Sequence, residues 1–179
     1  MKQETIVAQP AIETSRFVLR PLRVSDAGLM SMYMSDARVA KQATTIPHPL
    51  PPGTVDAQIA RAMSAERVDH IWAIDATEQG GSELLGAILL SQLDRDQSEI
   101  SYWIAPAMWN TGLASEAVRA LIEANPLRNK TIFASVFQDN PGSARVLTNA
   151  GFEYLGDAES FSVARNSKVA TWTYLKKLK

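Results

Sequence analysis

The stretch Trp109-Asn110-Thr111-Gly112-Leu113-Ala114-Ser115-Glu116-Ala117 decides how this chain reads, because it follows a strand-like run at 99–104 and opens an amphipathic helix. Glycine lets backbone come close to a ligand, and the helix start beyond it carries unpaired N–H groups at a positive dipole end. Such a turn suits an anion, a phosphate above all. Leu113, Ala114, Ala117, Val118, Leu121 and Ile122 form one apolar stripe, Ser115, Glu116, Arg119 and Glu123 take the other face, and Asn125-Pro126 ends the helix. The turn has neither the G-x-G-x-x-G spacing of dinucleotide sites nor the G-x-x-x-x-G-K-[ST] of P-loops, which argues against NAD, ATP or GTP as the anion.

A second segment begins Asn140-Pro141-Gly142-Ser143 and ends Gly151-Phe152. It pairs an asparagine N-cap with proline at the first helical position, and places a glycine where a left-handed residue closes a helix. With the opening Thr14-Ser15-Arg16-Phe17-Val18-Leu19-Arg20-Pro21, these segments resemble the Gcn5-related N-acetyltransferase (GNAT) family, in its RimJ/RimL-like branch of ribosomal-protein N-acetyltransferases. The resemblance spans most of the chain. It implies an α/β acyl-CoA N-acyltransferase fold: a mixed, mostly antiparallel central sheet with splayed strands and flanking helices. One N-acetyltransferase domain then covers residues 1–179, with 1–13 as a flexible N-terminal extension. In that fold the strands at 99–104 and 130–138 part, and the thioester arm of CoA lies between them.

The resemblance also implies acetyl-CoA as co-substrate. Its diphosphate would sit on the backbone of Trp109, Asn110, Thr111, Gly112, Leu113, Ala114 and Ser115, with Ile104, Asn140 and Ser143 along the arm. Asn110 replaces a usual glycine and Thr111 a usual basic or amide residue, a change that backbone contacts survive better than side-chain contacts. Much of the superfamily has a tyrosine acid seven residues after the asparagine; here that position is Leu147, which has no proton to give. The RimL-like serine at Ser143 takes its place, where a hydroxyl near a helix start can assist a departing thiolate. Two carboxylates are candidate bases: Glu99, at the head of the strand carrying Tyr102 and Trp103, and Glu159, beyond the Gly-Phe strand. Strand alternation places Glu99, Ser101 and Trp103 on one face and Ile100, Tyr102 and Ile104 on the other. Glu116 reads as a structural carboxylate paired with Arg119. Trp72, Trp103 and Trp172 read as core, and His48 falls in a loop that lies near the acceptor pocket in this family.

Composition sets the outer bounds. The chain has 179 residues, 46% of them hydrophobic, enough for one domain with a real core. A net charge of −1 offers no basic field, so nucleic acid is not an expected partner. No window reaches membrane-span length, so the expectation is a cytoplasmic protein with no membrane contact. With no cysteine and two histidines far apart, neither a metal site nor a cysteine-linked acyl-enzyme is expected. The sequon at Asn129 reads as chance. A homodimer would be unremarkable.

Along the chain, strands are expected at 16–22, 70–76, 84–93, 99–104, 130–138, 152–156 and 169–178. Helices are expected at 25–35, from Thr54 as cap to 67, at 112–124 and at 141–150, with a proline-rich loop at 44–53. The functional expectation is direct transfer of acetyl to an amine, either a protein N-terminus, ribosomal by family precedent, or a small molecule. The rival expectations are a CoA-binding regulatory module without turnover, supported by Asn110, Thr111 and Leu147, and a structural protein with no ligand.

Overall fold

The computed structural model describes residues 9–178. Its strands are β1 (Ile12–Glu13), β2 (Val18–Pro21), β3 (Asp69–Asp75), β4 (Gly86–Gln92), β5 (Gln97–Ile104), β6 (Thr131–Phe137), β7 (Glu153–Ser162) and β8 (Ser167–Lys177). They form one eight-stranded sheet in the order β1-β2-β3-β4-β5-β6-β8-β7. Five helices cover it: α1 (Ala27–Met34), α2 (Ala37–Ala40), α3 (Thr54–Met63), α4 (Leu113–Ala124) and α5 (Pro141–Asn149). Neighbouring strands run antiparallel except β5 and β6, which α4 joins as a parallel crossover. This is the mixed, mostly antiparallel architecture expected.

Two apolar clusters lie on opposite faces of the sheet. Alternate residues of β3, β4 and β5, including Trp72, Ile88 and Ile100, bury against Leu113, Val118 and Leu121 of α4 and Leu147 of α5. The intervening residues, Ile71, Ala73 and Ala87, bury against Met30, Met34, Val55 and Ile59 from α1 and α3. Covered on both sides, β3 reads as a continuous apolar run from Ile71 to Ile74.

Several boundaries differ from the sequence expectation for identifiable reasons. Asp26 does not cap a helix in solvent. It is buried in a clasp with Arg20 at 2.8 Å and accepts from the Arg23 N–H, so a short 3-10 turn precedes α1. Thr54 is the first helical residue, Gly53 is the N-cap, and the Thr54 hydroxyl donates to Pro51. The helix ends at Met63 because Ser64 turns extended. The last two strands are longer than expected: Gly156-Asp157 looks like a turn, but the ladder with β8 runs through it on a bulge between Tyr154 and Gly156. Of the segment expected to be a flexible extension, 1–8 lie outside the described residues. In the remainder, Pro10 accepts from the Trp72 indole at 2.9 Å and Ile12–Glu13 pair with β2. Asn129 is buried and accepts from Ser98 at 3.0 Å, which leaves its sequon inaccessible to a glycan. No helix of the described residues is long and apolar enough to cross a membrane.

Candidate active site

The site begins as a split in the sheet. β5 and β6 pair over three rungs, Gln97 to Glu99 against Thr131 to Phe133, and then separate. Beyond that point β5 stays bonded to β4 as far as Ile104, and β6 to β8 as far as Phe137. Each keeps one backbone edge facing the gap.

On the α4–α5 side, a cleft of about 520 Å³ reaches from Trp103 and Ile104 to the start of α4 and along α5, a size in the range of small-molecule sites. The turn into α4 is shaped by two left-handed residues, Asn110 with φ 63 and Gly112 with φ 81. Asparagine tolerates that conformation better than other side chains, so the turn keeps its shape without glycine at that position. The backbone N–H groups of residues 110–115 find no acceptor among the described residues. Arg16 holds the turn from outside: its Nε pairs with Glu116 at 2.8 Å and its Nη1 donates to the Thr111 carbonyl at 3.1 Å. Glu116 is thus committed to Arg16, a hundred residues away in sequence, and not to Arg119 one turn on. Burial would raise the Glu116 pKa, but hydrogen bonds from Arg16 and Thr14 outweigh it and hold the carboxyl below its ordinary range. The Trp109 indole donates to the Ile104 carbonyl at 2.8 Å, tying the turn to the end of β5.

A smaller cavity of about 110 Å³ spans the split, lined by Met34, Gln58 and Ile71 from the α1–α3 side and by Ile100, Ala134 and Leu147 from the α4–α5 side. It is closed on one flank by the loop after α2, which contributes Thr44, Thr45 and Ile46. That loop is strapped to the β7–β8 connection: Val163 N–H donates to Thr44 at 3.1 Å, and Arg165 donates twice to the Lys41 carbonyl at 2.9 and 3.1 Å. Arg165 also pairs with Asp139 at 2.6 Å and lies over the Phe137 ring at 4.8 Å. Cleft and cavity meet at Gln42, Ala43, Tyr102, Trp103, Asn140 and Ser143, which line both.

Ser143 is the most constrained polar group at that junction. Its Oγ lies 3.1 Å from the Tyr102 hydroxyl and 3.0 Å from Asn140 Nδ2, and its N–H donates to Asn140 Oδ1 as an N-cap bond. With both lone pairs of the serine oxygen accepting, its own proton is left to donate elsewhere. Desolvation pushes the Tyr102 pKa up, against a smaller opposing effect of the Ser143 bond, so the phenol stays protonated at neutral pH.

Residues 16–153 match the sequence model of the acetyltransferase (GNAT) domain. This chain belongs to the GNAT acetyltransferase family. The acetyltransferase is similar to the uncharacterized N-acetyltransferase YoaA of Bacillus subtilis (strain 168), 27% identical over 171 residues that cover 92% of this chain and 95% of that protein. Its fold is similar to that of RimL, a ribosomal L7/L12 alpha-N-protein acetyltransferase solved with coenzyme A (TM-score 0.81, 13% identity, 94% of this chain and 98% of that one). It is also similar to spermidine N-acetyltransferase from Vibrio cholerae, solved with CoA and spermine (TM-score 0.75, 16% identity, 90% and 96% covered).

Within this acetyltransferase, the residues nominated for the cofactor come together. Ile104, Trp109, Asn110, Gly112, Leu113, Ala114, Ser115, Asn140 and Ser143 all line the cleft, whereas Thr111 turns its hydroxyl back onto the Met108 carbonyl at 2.6 Å. The two nominated carboxylates do not join them. Glu99 is half-buried on the last rung before the split, its pKa raised by desolvation, and lines neither cavity. Glu159 is exposed on the edge strand β7, opposite Ala170, and also lines neither. His48 is exposed and outside both. Trp103 is not simply core: it packs on Tyr33 with ring centroids 5.9 Å apart and walls both spaces. Among the described residues no group of three or more His, Cys, Asp or Glu could hold a metal. Sequence reasoning missed Tyr102 and Arg16. Tyr102 had a usable signal, since alternation turns it toward the helix bearing Ser143; Arg16 had none beyond its place in the opening motif.

Proposed function

We propose that this acetyltransferase binds acetyl-CoA in the larger cleft and a primary amine in the smaller cavity, and joins them directly at the junction. The observation that carries this reading is the Ser143 hydroxyl, held by Tyr102 and Asn140 where the two spaces meet. Acetyl-CoA would supply an acyl carbon activated by its bond to a good leaving thiolate. The free N–H groups of 110–115 suit the diphosphate, and the open edges of β5 and β6 suit the amide-bearing arm. The amine nitrogen forms the new bond to the acyl carbon, the carbon–sulfur bond breaks with its electron pair on sulfur, and Ser143 donates to that sulfur. Tyr102, kept neutral by burial, steadies the serine. No carboxylate lines either space, so the amine reacts as its free base and releases its proton to water. The absence of cysteine supports direct transfer.

The acceptor is either a protein N-terminus, which RimL acetylates, or a small amine such as the spermidine used by the Vibrio enzyme. The test is thiol release from acetyl-CoA across an amine panel, alongside the thermal shift given by CoA alone. Turnover with a shift worth about 3–4 kcal/mol at several-hundred-fold excess over Kd supports the reading. A shift without turnover on any amine makes the protein a binding module, and neither result leaves it a structural protein.

A further inference from the structure

The smaller cavity is lined by Gln58 and Thr171, whose buried Oε1 and Oγ1 atoms have no hydrogen-bond partner among the described residues. Thr171 is 1% exposed. Leaving such atoms unpaired costs free energy unless something else meets them. Regular structure puts both there. Val55, Ile59 and Ala62 form the inward stripe of α3, and Gln58 shares it, three residues after Val55 and four before Ala62. Thr171 stands opposite Phe137 in the β6–β8 ladder. Ala134 of β6 packs on the α4–α5 cluster, so alternation turns Phe137 and Thr171 to the other face, toward α3.

The rest of the lining matters as much. No Asp, Glu, Lys, Arg or His borders this cavity. A second ammonium would enter without a counter-charge, and so would a carboxylate. The space, about 110 Å³, suits a compact group.

We propose that Gln58 and Thr171 select the acceptor: the cavity takes a monoamine carrying a small uncharged N–H or O–H donor, which bonds to Gln58 Oε1 and meets the Thr171 hydroxyl. Polyamines and amino acids with a free carboxylate are rejected. The inference rests on the transferase reading above. A site built around a hydrogen bond discriminates strongly against an apolar isostere that leaves its polar atoms unpaired.

The experiment compares kcat/KM, per free base, for glycinamide and ethanolamine against isobutylamine, glycine and 1,3-diaminopropane. Glycinamide or ethanolamine should exceed isobutylamine at least tenfold, with glycine and the diamine poorest. Gln58→Met and Thr171→Val should each pull the glycinamide-to-isobutylamine ratio at least fivefold toward one, while the CoA thermal shift reports that each variant is folded. A wild-type ratio near one, preference for the diamine, or a ratio untouched in both variants overturns the assignment of Gln58 and Thr171. Absence of thiol release with every amine is a different result: it sinks the transferase reading and takes this inference with it.

Discussion

On the α4–α5 side, the cleft draws most of its lining from two short segments, 102–115 and 140–149, each leading into a helix start. The smaller cavity draws on α1, α3, five strands, α5 and the loop after α2. One space is built mainly from two local segments, the other from residues gathered across most of the chain. That difference has a chemical consequence. If the N–H groups of 110–115 hold the cofactor as proposed, Asn110 serves there as well as glycine, because the left-handed φ is kept and no side-chain atom is needed. In the cavity proposed for the acceptor, replacing one lining side chain should change what is accepted. Proteins similar in fold to this chain include both a ribosomal-protein acetyltransferase and a spermidine acetyltransferase, so the fold by itself does not fix the acceptor.

The junction belongs to both spaces and should show the largest effects. Ser143→Ala removes the hydroxyl proposed to donate to the sulfur, and kcat should fall about 100-fold, the scale of losing a preorganised donor. Tyr102→Phe leaves the serine but removes its support, so about tenfold is expected, the worth of one neutral hydrogen bond. Single-turnover rates check both; equal losses would mean that Tyr102, not Ser143, meets the sulfur. Further out, the two spaces should separate cleanly. Arg16→Ala loosens the turn into α4 and should raise KM for acetyl-CoA about fivefold, a modest figure because Arg16 is 41% exposed and such pairs are worth little. Arg165→Ala frees the strap over the cavity and should raise KM for the amine about threefold by a similar argument. If either variant moves both constants alike, cleft and cavity are not independent and the contrast between them fails.

The same contrast explains what could be read from the chain beforehand. The run from Trp109 to Ala117 and the Asn140-Pro141 start encode their geometry within a few residues, so both helices and the Asn140 cap were legible. The split itself is not local: it depends on β6 leaving β5 after Phe133 to follow β8, a pairing that no periodicity in β5 reveals. Carboxylates were the natural candidates for a base, yet Glu99 falls one rung short of the opening and Glu159 lies on an exposed edge, because residue type carries no information about where a strand stops pairing. Gln58 left a faint trace, a polar residue on an otherwise apolar stripe of α3. Its significance appears only when β8 brings Thr171 into the same cavity from more than a hundred residues away. Arg16 reaches Glu116 across the same kind of distance, and spacing within α4 alone pointed to Arg119 instead.

That misassigned pair gives the smallest and most specific test, because the charge that steadies the cleft has no counterpart in the uncharged lining of the cavity. Hydrogen bonds from Arg16 and Thr14, prevailing over desolvation, keep the Glu116 carboxyl below the range it has in the unfolded chain. An acid with a depressed folded pKa contributes stability above its unfolded value, about 4.3 for glutamate, and loses it as pH falls through the folded value. Glu116→Gln keeps the shape and a hydrogen-bonding oxygen but not the charge. The wild type should therefore unfold at a higher temperature than this variant at pH 7, by a margin reflecting at most about 1 kcal/mol for so exposed a pair. That margin should shrink toward zero as pH falls from the unfolded value down through the folded one. Acetyl-CoA affinity should follow the same course if the pair acts by holding the Thr111 carbonyl and its turn in place. A margin independent of pH would show that Glu116 serves α4 by packing alone, and that the turn does not need the ion pair to hold its N–H groups toward the cleft.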